Sequence, residues 1–152
     1  MILHRRHLCL LLLMIFAAGV ATASERQHQG TLIIEISGLQ PTAGGQLRVA
    51  LFAGEEGWPK LQQAFRLQQL AVSAERLRVE FVELPLRDDY AIEVHHDENA
   101  NGKFDMRWLP YPKPKEGVGV SNNRFGFGHP DFSEARFALD SREKLISIQM
   151  RY

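Results

Sequence analysis

One stretch of this sequence has a definite inorganic chemistry: Asp97-Glu98-Asn99-Ala100-Asn101-Gly102-Lys103-Phe104-Asp105, of the form D-x-N-x-N-G-x-x-D. Calcium is a hard cation that takes six to eight oxygens, and short Asx side chains at alternate positions can wrap one ion. Asp97, Asn99, Asn101 and Asp105 would supply side-chain oxygens and Lys103 its backbone carbonyl, while Gly102 permits the sharp turn that brings the chain back. The loop departs from an EF-hand, because Trp108 stands where the bidentate glutamate belongs and the flanks do not read as helices. Another carboxylate is needed, and Glu116 or Glu98 is nearest. With two fixed carboxylates the expected dissociation constant is on the order of 10⁻⁴–10⁻³ M. The plainer alternative is a turn, since Asn-Gly is a strong turn dipeptide and Asx side chains cap turns.

Three other groupings carry weaker signals. His95 and His96 are adjacent on a strand, so they face opposite ways and cannot chelate one ion together; either with His129 is the remaining combination. The expectation is that one packs beneath the loop and the other is solvated. Ser121 in Gly119-Val120-Ser121-Asn122-Asn123 resembles a nucleophile elbow without its closing glycine. A small periplasmic hydrolase using Ser121 with His96 or His129 is therefore one alternative, and backbone hydrogen bonding by Ser121, Asn122 and Asn123 is the other. Trp58, Trp108, Tyr111, Phe125 and Phe127 offer either a platform for a sugar or peptide, or a small core inside a long loop.

The elements that must position these residues read mainly as strands. Residues 31–36 are rich in Ile and Leu, and Gly44-Gly45 is a turn ahead of 46–52, where Leu47, Val49 and Leu51 alternate with Gln46, Arg48 and Ala50. Period-two alternation returns at 76–82 and 90–95, a weaker candidate lies at 67–72, and 135–139 and 145–152 close the chain. That makes about seven strands, as in a small antiparallel β-sandwich. Pro59, Leu61 and Phe65 suggest one short helical turn. Residues 106–130 lack a pattern and read as a long ordered loop, which is where binding surfaces concentrate.

The first residues are of another kind. A basic start at Arg5 and Arg6, an apolar run over 8–20 and Ala21-Thr22-Ala23 are the parts of a secretory signal cleaved after Ala23. The run is short for a membrane span, which needs about 20 residues, and no second apolar stretch approaches that length. The expected organisation is a signal peptide at 1–23, a flexible start at 24–30 and a β-sandwich domain at 31–152, located in the periplasm or outside the cell. The single cysteine, Cys9, falls in the signal, so the exported domain must be stabilised by its core or by an ion, not by disulfides. Without Arg5 and Arg6 the balance is 16 basic to 18 acidic residues, with no basic stripe, so nothing marks a nucleic-acid surface.

The ordered series Phe81-x-x-Leu84-Pro85, Tyr90-Ala91-Ile92, His96-Asp97-Glu98-Asn99, Asn101-Gly102-Lys103-x-Asp105, Pro114-Lys115-Glu116-Gly117-x-Gly119-x-Ser121-Asn122-Asn123 and Pro130-x-Phe132-x-x-Ala135-x-Phe137 resembles the exported bacterial family called domain of unknown function 2141. That resemblance implies a small secreted β-sandwich, similar to prealbumin-like and carboxypeptidase-regulatory-like domains, and brings no catalytic residues. It also implies one site built from 96–105 and 116–123, with Glu116 folding back toward the loop. Arg87-Asp88-Asp89 stands where the family usually has a glycine, and Leu109 to Pro114 is richer in proline than the family's Gly-Ile-Pro. The expected function is a non-enzymatic, calcium-stabilised binding or structural module. Its partner would be an extracytoplasmic protein or a glycan, the latter held by Trp108 and Tyr111.

Overall fold

The computed structural model describes residues 28–124 and 128–152. The expected signal at 1–23, the adjoining 24–27, and Phe125 and Phe127 lie outside the described residues. Among the described residues ten strands follow in order: β1 (Gln29–Ser37), β2 (Gln46–Ala53), β3 (Arg66–Ala71), β4 (Arg76–Pro85), β5 (Arg87–Asp97), β6 (Met106–Arg107), β7 (Lys113–Pro114), β8 (Gly117–Val120), β9 (Phe137–Leu139) and β10 (Glu143–Gln149). They form one sheet ordered β10-β1-β4 and a second ordered β3-β2-β5-β8, with β9 also paired to β5; β6 and β7 make a separate hairpin.

The chain is an all-β sandwich. Leu32, Ile34 and Ile36 of β1 and Val79 and Phe81 of β4 share one buried core with Leu47, Val49 and Leu51 of β2 and Ile92 and Val94 of β5. Those are the apolar phases of the alternating strands. The pairing is not wholly antiparallel, because β10 runs parallel to β1 from Thr31↔Glu143 to Ser37↔Gln149.

The expected long loop at 106–130 is in fact punctuated by the β6–β7 hairpin and by β8, which pairs with β5 through Glu93↔Val120 and His95↔Val118. Gly117 and Gly119 disguise β8, yet they are what lets it lie there. A Cβ on Gly119 would sit 2.7 Å from Ile148 Cγ2 of the facing sheet, and one on Gly117 2.4 Å from the Tyr152 ring. The helical turn expected near Pro59 is a single 3₁₀ turn, Leu61–Gln63, and buries only Leu61. A short helix, α1 (Phe132–Ala135), precedes β9 and takes in Ala135, the expected first residue of that strand. Its start is fixed by the Asp131 N–H donating to Glu134 Oε2, one arm of a capping box.

Candidate functional site

The loop 97–105 leaves the end of β5, and its side chains close on one another. Asp97, only 1 % exposed, accepts the Asn101 N–H on Oδ1 at 3.1 Å and the Gly102 N–H on Oδ2 at 2.8 Å. Gly102 makes the turn at φ +74°. Asn99 Nδ2 and Asn101 Nδ2 both donate to Asp105 Oδ2, at 2.8 and 2.9 Å. Those two hydrogen bonds favour the ionised form and hold the Asp105 carboxyl below the usual carboxylate range. Lys103 is exposed, and its N–H donates to Asn101 Oδ1. The loop thus gathers Asp97, Asn99, Asn101 and Asp105 through hydrogen bonds of its own. Among the described residues, no group of three or more His, Cys, Asp or Glu side chains is clustered for a metal.

Glu116 does fold back to this loop. Its Oε2 accepts the Asp105 N–H at 3.3 Å and lies 2.8 Å from His95 Nε2, while Oε1 is buried without a hydrogen-bond partner. The Lys115 N–H donates to the Asp105 carbonyl, so the base of the β6–β7 hairpin is tied to the end of the Asx loop. Glu98 instead lies toward Tyr152, whose phenol pKa is raised by burial and further by the Glu98 charge.

The expectation of one buried and one solvated histidine is corrected here, since both are wholly buried. The larger sheet is covered on both faces. His95 lies on the outer face under Phe104, ring centroids 5.2 Å apart. His96 Nε2 meets the Gly44 carbonyl and Nδ1 meets the Tyr152 hydroxyl, each at 2.7 Å. The carbonyl can only accept, so Nε2 carries the proton and Nδ1 accepts from Tyr152. Both nitrogens are occupied, and His96 has no lone pair to offer a substrate.

Strand register places Arg48, Glu93 and His95 on one outer face together with Ala50, Phe52, Ala91, Val118 and Val120. Arg48 Nη1 donates to the Gly102 carbonyl at 2.9 Å and so braces the Asx loop. Glu93, 4 % exposed, pairs through Oε1 with His129 Nε2 at 3.3 Å. Burial opposes the charge on His129, but the hydrogen bond and the charge of Glu93 outweigh it and raise the pKa above the ordinary imidazole value. Sequence alternation marked Glu93 and Arg48 only as polar-face residues. Ala50, Phe52 and Ala91 on the same face were the available sign that this face is covered.

The serine-centred grouping is arranged as structure. Ser121 is 1 % exposed; its hydroxyl donates to the Ala135 carbonyl at 2.6 Å and accepts the Ile92 N–H at 3.0 Å, with no histidine among its partners. Asn122 Nδ2 donates to the Glu134 and Arg136 carbonyls, and Asn123 Nδ2 to the Ser147 carbonyl. Together they staple β8 to α1 and β10. Ser121→Ala should cost about 2 kcal/mol in urea denaturation, because it orphans a buried N–H and a buried carbonyl; a loss below about 0.5 kcal/mol would contradict this role.

The aromatics divide. Trp58 packs against Phe52, His129 and Phe132 and donates from Nε1 to the Pro130 carbonyl, so it belongs to a small core beneath α1. Trp108, Leu109 and Tyr111 are 69, 81 and 56 % exposed at the connection between β6 and β7.

The family described as "Uncharacterized protein conserved in bacteria (DUF2141)" matches residues 34–147, and the chain belongs to that family. No curated protein and no solved structure matches the chain.

Proposed function

We propose that this member of the DUF2141 family is an exported, non-enzymatic β-sandwich module whose loop 97–105 is closed by calcium and whose β6–β7 hairpin presents its binding surface. The observation that carries the reading is the convergence of the Asn99 and Asn101 side chains on Asp105, beside the braced carboxylate of Asp97. Turning both amides would present their oxygens to an ion and free the Asp105 carboxylate. Asp97, Asn99, Asn101, Asp105 and the Lys103 carbonyl would then be ligands, and the unpartnered Oε1 makes Glu116 the further carboxylate. Because Asp105 is bonded to Lys115 and Glu116, an ion in the loop would also fix the root of the hairpin. The exposed Trp108, Leu109 and Tyr111 give that hairpin a surface for an extracytoplasmic protein or glycan. Export rests on the signal-like residues 1–23. Among the described residues no helix is long and apolar enough to cross a membrane.

Thermal melts in EGTA, calcium and magnesium test the ion. At about ten times its dissociation constant, an ion that binds only the folded state adds about 1.4 kcal/mol, a rise of several degrees for a domain of this size. The rise should be specific to calcium and absent in Asp105→Asn. Superimposed melts across all three conditions would remove calcium from the reading.

A further inference from the structure

We infer that the cavity between the β6–β7 hairpin and the outer face of β5 and β8 is a binding site for a compact, mainly aromatic or aliphatic molecule carrying one O–H or N–H donor, which Glu93 accepts. This names a ligand class for the binding module proposed above and rests on that part of it; it is independent of calcium.

The cavity encloses about 420 Å³, near the small end of the range for small-molecule sites, about 300–1,000 Å³. Phe104, Met106, Val118 and Val120 contribute apolar wall, Glu93 and His129 pair within it, and Lys113 and Arg151 line it too. The volume and the apolar wall suit a substituted ring.

Hydrogen positions on His129 follow from its neighbours. Nδ1 lies 3.0 Å from the Pro130 carbonyl, which can only accept, and Nε2 lies 3.3 Å from Glu93 Oε1. A ring set between two acceptors donates from both nitrogens when it is protonated, and the raised pKa of His129 favours that form. The charge of Glu93 is thereby balanced. What remains is an unmet hydrogen-bond acceptor: Oε2 is buried and has no partner. Leaving such an oxygen unmet is expensive, and a turn of the Glu93 carboxyl, which lines the cavity, would offer it to a ligand donor. A cation would face the imidazolium, Lys113 and Arg151, and an anion drawn by those two side chains would still set an acceptor, not a donor, against Oε2. A neutral donor on an apolar body meets the oxygen without adding charge.

The test titrates the purified protein with 2-phenylethanol, ethylbenzene and phenylacetate, at a pH near the ordinary imidazole value of about 6.5, following the amide NMR signals of Val118, Val120 and His129. The expected result is that the alcohol shifts these signals and binds about tenfold more tightly than the hydrocarbon, whereas phenylacetate, which brings no donor, gains nothing from Glu93. Glu93→Leu removes the acceptor, so the alcohol should lose its advantage while ethylbenzene still binds. Val118→Trp fills the cavity from a half-buried wall position and should abolish binding of all three, which keeps the test intact if Glu93→Leu does not fold. Equal binding of alcohol and hydrocarbon by the unmodified protein would overturn the proposal. So would a preference that survives in Glu93→Leu, or an absence of shifts at these three residues. The melts in calcium and EGTA report separately on the loop, so a failure there and a failure here are distinguishable.

Discussion

Asp97→Ala is expected to lower stability by about 3 kcal/mol in EGTA, before any ion is added, and to eliminate the calcium-dependent rise as well. Both carboxylate oxygens are engaged by backbone N–H groups, and the side chain is 1 % exposed at the end of a central strand. Hydrogen bonds to a charged group contribute about 1.5–3 kcal/mol each. The total falls short of their sum because Asn101 and Gly102 are exposed and water can take over their N–H groups. Asp97→Asn keeps one acceptor and should cost about half as much. Asn99→Ala leaves the Asp97 contacts intact and should cost under about 1 kcal/mol in EGTA, yet still weaken calcium. Urea denaturation of the three variants, with and without calcium, separates the structural role of the loop from its proposed ion. An Asp97→Ala variant within about 0.5 kcal/mol of the unmodified protein would mean the loop does not depend on this carboxylate.

Much of the architecture was legible because the sandwich core is written as period two. Leu77, Val79 and Phe81 alternate with Arg78 and Glu80, and β4 places the first set inward. Alternation says which residues share a face, but not what covers that face. In β5 the alternation puts residues 91, 93 and 95 on one face without saying what lies over it; the hairpin, α1 and Trp58 cover that face, and Glu93 and His95 are buried. The strand β8 was hidden for the opposite reason. Its close approach to Ile148 and Tyr152 requires glycine, and glycine reads as loop. Parallel pairing of β10 with β1 left no mark in either strand's pattern, since both keep the same alternation whichever way the partner runs. The Asx loop was visible as a spacing, and its convergence on Asp105 follows from that spacing. The Glu93–His129 pair joins residues 36 positions apart and had no local signature.

Gly45→Ala is expected to cost about 4 kcal/mol and to weaken calcium at a loop more than fifty residues away in sequence. Gly44 and Gly45 read as a turn from the sequence, and both adopt left-handed φ angles, +74° and +73°. Their surroundings differ. A Cβ on Gly44 would meet nothing within 4 Å, whereas one on Gly45 would lie 2.1 Å from the Asp97 carbonyl oxygen and 2.6 Å from Glu98 Cα. Gly44→Ala therefore bears only a conformational cost, about 1–3 kcal/mol at φ +74° and ψ −145°, a region nearly confined to glycine, and serves as the control. Gly45→Ala adds the displacement of backbone at the first residue of the Asx loop. The turn cannot easily move instead, because the Gly44 carbonyl is held by the buried His96, which is bonded in turn to Tyr152. Equilibrium denaturation of the two variants should show the larger loss at Gly45, and a calcium titration should show weaker binding in that variant alone. Equal losses would mean that the turn and the loop are not in contact. The larger loss with unchanged calcium binding would place the ion's ligands away from Asp97. If both expectations hold, the turn before β2 sets the position of the carboxylate on which the loop closes.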